Sequence, residues 1–362
     1  MRVLLVYLGR MNAGPVYSLE IAKSLSNKCD LSCLISKNVV NKNQWYANKL
    51  NIIEIETYDN NFEFIRSTLK IKKFLELKKK VDEVKPDVIY ITMIHYWLPI
   101  LRVLFRKYKF VYTAHDPMPH SGENILNKFI NYLMLKKSDS IVVLSNIYVN
   151  YIKKLGKKDK DILVVPHGNF SYYTQFSNNE FLNKSYKKII LFFGRIDKYK
   201  GINRLINIYK EVKKDYSECE LWIVGNGDLS PYIDYINEQE DIKVVNRYIE
   251  DEEVSNYFNI ADIILLPYED ATQSGVIPLA YSFSKPVIAS DVGGLHEQII
   301  NGVTGYLFNK DDIQNAKNLV IELLKNDYKR FNMGGNGYKF NEDNLSWHKV
   351  GQKIMDFLIK KV

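Results

Sequence analysis

The 362-residue chain is poor in cysteine, with only Cys29, Cys33 and Cys219. Because these cysteines are few and scattered, they provide neither a disulfide framework nor a Cys-x-x-Cys metal site. Disulfides are typical of secreted proteins, so we expect a cytoplasmic protein. Long apolar runs are also missing. No uncharged apolar stretch reaches the roughly 18 residues that would indicate a transmembrane helix. The opening run, MRVLLVYLG, is too short for a secretory signal and is typical of a buried first strand.

Acidic residues are scarce in the first half of the chain. Residues 1–177 hold 27 Lys and Arg against 15 Asp and Glu, a net charge of +12, whereas residues 178–362 hold 23 against 27, a net charge of −4. This asymmetry indicates that the first half faces an anionic partner, which could be nucleic acid, a phospholipid surface or a phosphate-bearing acceptor. A lysine-rich solvated surface without a partner is the alternative. We expect no nucleic acid, because no recognisable nucleic-acid-reading motif accompanies the basic residues.

Short apolar segments alternate with longer amphipathic ones, which predicts βαβ units and parallel sheets. A polar, aperiodic stretch over 171–188 predicts a linker between two series of strands. We therefore expect an α/β protein with two Rossmann-like, doubly wound domains, residues 1–175 and 186–345, and a cleft between them. A closing helix in 346–362 would pack back on the first domain. The predicted strands are 2–8, 30–36, 88–94, 110–115, 140–145, 162–167, 188–194, 220–225, 242–248, 263–268, 286–290 and 305–308, and the helices of the first half are 15–27, 64–84 and 122–137.

The stretch FFGRIDKYKG (192–201) carries the strongest chemical signal. Gly194 ends a predicted strand, Gly201 precedes a predicted helix, and Arg195 and Lys200 lie on the loop between them. Arginine grips phosphate oxygens with a forked pair of N–H groups, and lysine adds a compact charge. Because ligands of open α/β sheets bind at strand ends, this loop is a candidate diphosphate site. Solvated surface charges are the alternative.

This motif resembles the donor-phosphate motif of family 4 glycosyltransferases, also called group 1, which are retaining enzymes of the GT-B fold. The resemblance implies an enzyme of hexosyltransferase type that uses a nucleotide-sugar. It also implies donor contacts from Gly14, Gly194, Gly225, Arg247 and Tyr248. Further stretches agree with the family in order and spacing: NAGPVYSLEIAKSL (12–25), VPHGNF (165–170), LWIVGNGD (221–228), VVNRYIEDEEVSNYFNIADIILLPY (244–268) and KPVIASDVGGLHEQIINGVTGYLF (285–308).

The loop before the PVIAS strand departs from the family pattern. Family members usually carry two Glu eight residues apart there, the second binding the donor ribose, but Ala271 and Leu279 occupy those positions here. The segment TQSGV (272–276) instead resembles a bacterial subset with QSG. It implies that the backbone N–H groups of Ser274, Gly275 and Val276 hold the distal phosphate at a helix N-terminus. Gln273 is a candidate sugar contact. Glu297 is a candidate substitute for the ribose contact, with packing or solvent exposure as the alternative.

Histidines follow two predicted strands of the first half. His115 is the last residue of 110–115 and Asp116 follows it, and the resemblance implies that His115 contacts the donor sugar near the leaving diphosphate. Asp116 would orient His115 or touch the acceptor. His95 ends another strand and is a candidate acceptor contact. The chain has no convincing Asp-x-Asp at a predicted strand end, so we expect neither a metal ion nor another cofactor.

The resemblance implies a retaining, metal-independent glycosyltransferase that moves a sugar from a UDP- or GDP-sugar to a saccharide or lipid-linked saccharide, in bacterial surface polysaccharide biosynthesis. The alternatives are a nucleotide-sugar epimerase on the same fold and a catalytically inactive nucleotide-sugar-binding relative. Segments 65–85, 101–110 and 125–137 mix apolar side chains with lysines. They indicate either ordinary core helices or a peripheral contact with the inner face of the plasma membrane.

Overall fold

The chain folds into two units. A computed structural model describes residues 1–11, 13–118, 124–176 and 186–362. One unit comprises Met1–Pro166 and Trp347–Val362, and the other comprises His167–Ser346. Each is an α/β unit built on its own parallel sheet.

The first unit has a seven-stranded parallel sheet in the order β3-β2-β1-β4-β5-β6-β7. Helices cover both faces of this sheet, so its strands are near-continuous apolar runs, as in RVLLVY. Its elements are β1 (Arg2–Tyr7), α1 (Gly14–Ser26), β2 (Asp30–Ser36), α2 (Lys42–Ala47), β3 (Asn51–Ile55), α3 (Asn61–Thr68), α4 (Ile71–Val84), β4 (Val88–Ile91), α5 (Leu98–Leu104), β5 (Lys109–Ala114), α6 (Ile125–Lys137), β6 (Ser140–Val143), α7 (Val149–Lys154) and β7 (Ile162–Val164).

Two features of this unit differ from the sequence prediction. Strand β3 was not predicted, because NIIEI lies at the sheet edge and alternates apolar with polar side chains instead of forming a fully apolar run. The helix predicted over 64–84 is two helices. Lys70 has a non-helical backbone (φ −76°, ψ 71°), and the Trp97 indole N–H donates to Thr68 Oγ1 beside this break (2.8 Å).

The second unit has a six-stranded parallel sheet in the order β10-β9-β8-β11-β12-β13. One apolar core joins its strands to the flanking helices. The elements are β8 (Lys188–Phe193), α8 (Ile202–Asp215), β9 (Cys219–Gly225), α9 (Ile233–Asn237), β10 (Ile242–Asn246), α10 (Asp251–Ile260), β11 (Ile263–Leu266), α11 (Val276–Ser282), β12 (Val287–Ser290), β13 (Gly305–Phe308), α12 (Ile313–Lys325) and α13 (Asp327–Leu345).

The change from one unit to the other lies at residues 166 and 167, earlier than the predicted end of the first domain at 175. Phe170 and Tyr173 are the reason, because both are buried in the core of the second unit. Residues 177–185 of the predicted linker lie outside the described residues. The last helix, α14 (Trp347–Ile359), returns to the first unit, where the ring of Trp347 meets that of Tyr17 on α1 (5.5 Å).

In the part of the chain that the structure describes, no helix combines the length and the apolar composition that crossing a bilayer requires.

Candidate active site

The sheet of the second unit reverses its strand order between β8 and β11. Loops leaving the carboxyl ends of two such strands diverge and leave a crevice in which α/β proteins bind ligands. Residues 194–201 follow β8 and residues 267–275 follow β11, so both predicted donor loops begin at this point. They are joined by the Glu269 N–H, which donates to the Tyr199 carbonyl (2.8 Å).

Glycines allow the backbones to approach closely at this edge. Gly201 has φ 71°, and a Cβ there would lie 1.9 Å from the Pro267 carbonyl oxygen. Gly225 has φ 146°, and a Cβ there would lie 1.8 Å from the Gly194 carbonyl oxygen. No side chain fits either contact, and L-residues avoid both conformations. The two glycines therefore hold the β8, β9 and β11 loops together.

Arg195 and Lys200 both lie on the β8 loop. The Arg195 guanidinium is exposed and donates to the Tyr199 hydroxyl (3.0 Å). The Lys200 ammonium lies over the Tyr268 ring, 3.7 Å from its centroid, where the ring face attracts a cation. Burial raises the pKa of the Tyr268 hydroxyl above its usual range, so this ring stays neutral. Each of the two cations on this loop is therefore held in place by a contact with a tyrosine side chain.

The QSG loop is held by a side chain that the sequence did not indicate. The Ser274 N–H donates to Gln298 Oε1 (2.8 Å), and Gln298 Nε2 donates to the Ser274 carbonyl (3.0 Å). The Ser274 hydroxyl lies 3.2 Å from that of Tyr268 and accepts from the Val276 N–H (3.3 Å). The Ser274 and Val276 N–H groups are therefore both engaged within the protein. The predicted phosphate contacts of the three amides stay a prediction. Among the described residues, the exposed Gly275 N–H has no hydrogen-bond partner.

The two positions where the family carries Glu are apolar and buried. Ala271 packs under the loop, and a Cβ on Gly293 would lie 1.7 Å from its carbonyl oxygen. Leu279 belongs to the apolar core of the unit. A carboxylate would be poorly solvated at either position. Gln273 and Glu297 are half-buried beside the same loop region.

Arg247 and Tyr248 follow β10, two strands away from β8. The Arg247 guanidinium makes a forked pair of bonds to the Glu253 carboxylate (2.7 and 2.6 Å). Glu253 also completes a capping box with Glu250 at the start of α10. The Arg247 side chain is exposed although it is bonded to Glu253, and the Tyr248 side chain is exposed as well. Their predicted roles in donor binding stay predictions.

His115 directly follows β5 in the first unit, and its ring is fixed from two sides. Its Nε2 lies 2.9 Å from the Thr92 carbonyl oxygen. A carbonyl can only accept, so Nε2 carries a proton. The ring also meets that of Tyr17 edge to face (4.6 Å). Desolvation lowers the pKa of His115, although nearby Asp116 opposes that shift, so the imidazole is neutral near pH 7.

The other predicted polar residues of this unit lie on neighbouring strand ends. The Asp116 carbonyl accepts from Asn131 Nδ2 (2.7 Å), and Asn131 Oδ1 accepts from the Tyr112 hydroxyl (2.9 Å), so α6 anchors the turn after β5. His95 Nδ1 accepts from the Trp97 N–H (3.2 Å), and desolvation lowers the pKa of His95 to about 3.

Gly14 is the first residue of α1 and is buried. A Cβ there would lie 2.7 Å from the Tyr7 hydroxyl oxygen. Glycine at this position therefore allows α1 to pack closely against the Tyr7 side chain of β1. Its predicted role in donor binding stays a prediction.

Two further features of the described residues are a pocket and the spacing of their potential metal ligands. None of the predicted donor residues lines the pocket of about 280 Å³ formed by Val303, Tyr328, Asn332 and their neighbours. Within the described ranges, no three His, Cys, Asp or Glu side chains converge closely enough to hold a metal ion.

Known families match both units. Residues 174–340 match the model described as "Glycosyl transferases group 1", and residues 45–168 match "Glycosyltransferase Family 4". Together the two matches cover most of both sheets and every predicted donor loop of the second unit. The chain is a group 1 glycosyltransferase.

The glycosyltransferase also resembles individual proteins. It is 25% identical over 68% of its length to an uncharacterized glycosyltransferase of Methanocaldococcus jannaschii. It is 24% identical over 64% of its length to CapM of Staphylococcus aureus, described as a capsular polysaccharide biosynthesis glycosyltransferase. These matches span 67% and 66% of the two relatives, about two thirds of each.

Solved structures show that the glycosyltransferase has the GT-B fold. HepE of Anabaena in complex with UDP-glucose superposes with a TM-score of 0.77 at 15% identity, covering 99% of this chain and 100% of that one. A UDP-GlcNAc 2-epimerase of Neisseria meningitidis superposes with a TM-score of 0.64 at 14% identity, covering 99% and 100%. Because the fold is shared with an epimerase, the fold by itself does not identify the reaction.

Sequence reasoning missed the residues that support the site of this glycosyltransferase. Gln298, Asn131 and Thr92 act on the loops from distant positions of the chain, and no local motif marks them. Tyr268 could have been found, because it is a buried aromatic residue two positions after the buried strand IILL, where the loop begins.

Proposed function

We propose that this glycosyltransferase moves a sugar from a UDP- or GDP-sugar to a saccharide or lipid-linked saccharide acceptor. In this proposal the transfer retains the anomeric configuration and uses no metal ion or other cofactor. A role in bacterial surface polysaccharide biosynthesis is supported by the resemblance to CapM. Nucleotide-sugar use is supported by the shared fold of HepE, whose structure contains UDP-glucose.

One observation carries this proposal. Arg195 and Lys200 lie at the strand-order reversal of the second unit, beside the loop that ends at the exposed Gly275 N–H. When the bond between the anomeric carbon and the distal phosphate oxygen breaks, negative charge develops on that phosphate. Two cations and an amide donor on a preorganised loop stabilise such a charge without a metal ion. The acceptor hydroxyl oxygen then bonds to the anomeric carbon and gives its proton to the departing phosphate.

For the first unit, we propose that His115 contacts the transferred sugar. Its ring orientation is held by Thr92 and Tyr17, and its imidazole is neutral near pH 7. A fixed neutral imidazole orients a sugar hydroxyl without adding charge to the site. We propose Asp116, His95 and Gln273 as further sugar or acceptor contacts.

Thermal unfolding with a panel of nucleoside diphosphates and nucleotide-sugars tests the donor. A ligand present at about 100 times its dissociation constant stabilises the folded state by about 2.7 kcal/mol. We expect UDP or GDP to raise the midpoint in wild type and to do so less in Arg195→Ala. No response to any member of the panel would contradict the proposed donor class.

Turnover separates transfer from its two alternatives. An epimerase interconverts the nucleotide-sugar without an acceptor, whereas a transferase releases nucleoside diphosphate in step with acceptor glycosylation. An inactive relative binds the donor and does neither. Epimer formation in the absence of acceptor, followed by NMR of the anomeric proton, would therefore replace the transferase proposal with the epimerase alternative.

A further inference from the structure

Helices α4, α5 and α6 form one layer on one face of the first unit's sheet. Their inward side chains, such as Phe74, Leu101 and Ile130, belong to a single apolar core with the strands. Helices α1 and α14 pack on the opposite face, in a different apolar cluster. The outward sides of α4, α5 and α6 therefore share one outer surface of this unit.

Helices α3 and α4 expose an unusual set of apolar side chains toward solvent. Five large apolar residues between positions 62 and 75 are each more than half exposed, from 57% for Leu75 to 74% for Phe62 and Leu69. The spacing places Phe62 and Ile65 on one side of α3, with Leu69 directly after its last residue, and Ile71 and Leu75 one turn apart on α4. Single exposed apolar residues are common, but a contiguous group marks an interaction site. We call these five residues the α3–α4 ridge.

Exposed cations lie in the same segment of the chain as the ridge. Residues 62–80 contain seven Lys and Arg against two Glu, which gives a net charge of +5. Lys73 donates to the Glu56 backbone carbonyl (2.9 Å), and Lys78 pairs with the Asp82 carboxylate. The remaining cations are exposed and have no acidic partner among the described residues: Arg66, Lys70, Lys72, Lys79 and Lys80.

The same combination continues on α6. Ile125, Phe129 and Tyr132 are exposed at successive turns of this helix, and Lys136 and Lys137 follow at its end. Val103 belongs to α5, the helix between α4 and α6 in chain order, and is 73% exposed. The apolar and cationic character therefore extends across the helix layer beyond the α3–α4 ridge.

We propose that the α3–α4 ridge docks this protein on an anionic phospholipid bilayer. Its apolar side chains insert at the boundary between headgroups and acyl chains, and its unpaired cations contact the headgroup phosphates. A second copy of the chain fits worse, because an isologous contact would bring the same cations together. Nucleic acid also fits worse, because phosphate contacts dominate its affinity and would leave the five apolar side chains exposed.

Vesicle binding tests the proposal independently of sugar transfer. We expect the full chain to sediment with vesicles of equal parts phosphatidylglycerol and phosphatidylcholine, and far less with phosphatidylcholine alone. Added salt should weaken the binding, because headgroup attraction is screened. Failure to bind the anionic vesicles would overturn the proposal and leave the proposed sugar transfer untouched.

Matched triple variants separate the ridge from general surface properties. Replacing Lys70, Lys72 and Lys79 with Gln should lower the vesicle partition coefficient on the order of 100-fold, since each cation near the surface contributes about 1 kcal/mol. The control replaces three exposed lysines of the second unit with Gln and should change it little: Lys243, Lys325 and Lys339.

The apolar part has its own pair of variants. Phe62→Ser, Leu69→Ser and Ile71→Ser together should lower the partition coefficient at least about tenfold, because buried apolar area is lost. Tyr328→Ser, Phe331→Ser and Tyr338→Ser, on the exposed side of α13, are the control. All four variants should keep the wild-type melting midpoint and nucleotide response. Equal losses in ridge and control variants would overturn the proposal, as would a concentration-dependent dimer that only the ridge variants abolish.

Discussion

Gln298 and Ser274 are joined by two reciprocal hydrogen bonds, in which one carboxamide satisfies both backbone groups of the serine. Both residues are buried, although they lie on different loops of the second unit. A carboxamide that bonds to a backbone N–H and carbonyl in this way replaces the contacts of a β-ladder. It fixes the backbone immediately before Gly275.

Replacing Gln298 with Leu should therefore weaken donor binding indirectly, by changing the shape of the loop that ends at Gly275. The variant leaves the buried Ser274 N–H without its partner, which costs about 1–3 kcal/mol. The Ser274 carbonyl loses the Gln298 bond but still accepts from the Ile277 N–H (3.3 Å). We expect a lower melting midpoint and a higher donor KM. Gln314→Leu, at an exposed position of α12, serves as the control. Wild-type KM in Gln298→Leu would show that the loop holds its shape without this pair.

Arg195→Ala and Lys200→Ala should each reduce kcat by roughly 10²-fold, the usual effect of removing one donor that stabilises developing charge. Lys198→Ala is the matched control, because Lys198 is an exposed cation on the same loop. Steady-state kinetics with saturating nucleotide-sugar measures the effect. Near-normal turnover in both variants would contradict the assignment of diphosphate binding to this loop.

His95 should make the first unit less stable in acid. Desolvation lowers its folded-state pKa from 6.5 to about 3, so below pH 6.5 the unfolded chain binds a proton that the folded chain does not. The free energy of unfolding therefore falls as the pH drops from 6.5 toward 3, by up to about 1.4 kcal/mol per pH unit. Above pH 6.5 this group contributes no pH dependence.

Urea unfolding across that pH range in His95→Gln measures the contribution. We expect a shallower acid slope than in wild type, whereas the exposed-site control His348→Gln should keep the wild-type slope. An unchanged slope in His95→Gln would mean that another group controls acid stability.

Leu279→Glu should not improve this enzyme, although it restores the residue that the family usually carries. Leu279 is buried in the core of the second unit, and an unpaired carboxylate there is poorly solvated. We expect a loss of about 3 kcal/mol or more in stability, whereas Leu279→Met, of similar volume, should cost less than about 1.5 kcal/mol. Thermal unfolding checks both. A stable Leu279→Glu variant with raised donor affinity would contradict this account of the loop.

Local sequence patterns predicted most of the regular structure. Buried parallel strands such as IILL are continuous apolar runs, and this signal survives without knowledge of the partners. The same rule failed for β3, because an edge strand is only half-buried and alternates polar with apolar residues. It also placed the first domain boundary too late, because nothing local shows that Phe170 and Tyr173 pack with the second unit.

The sequence by itself determined the two α/β series, the family and the loops on which Arg195, Lys200 and His115 lie, because those features depend on residues adjacent along the chain. Only the tertiary structure decided how these residues are held. Gln298 reaches Ser274 across 24 positions, and Thr92 reaches His115 across 23. Such contacts arise when parallel strands bring their carboxyl ends to one edge, and the polar groups buried there must find partners wherever the chain supplies them.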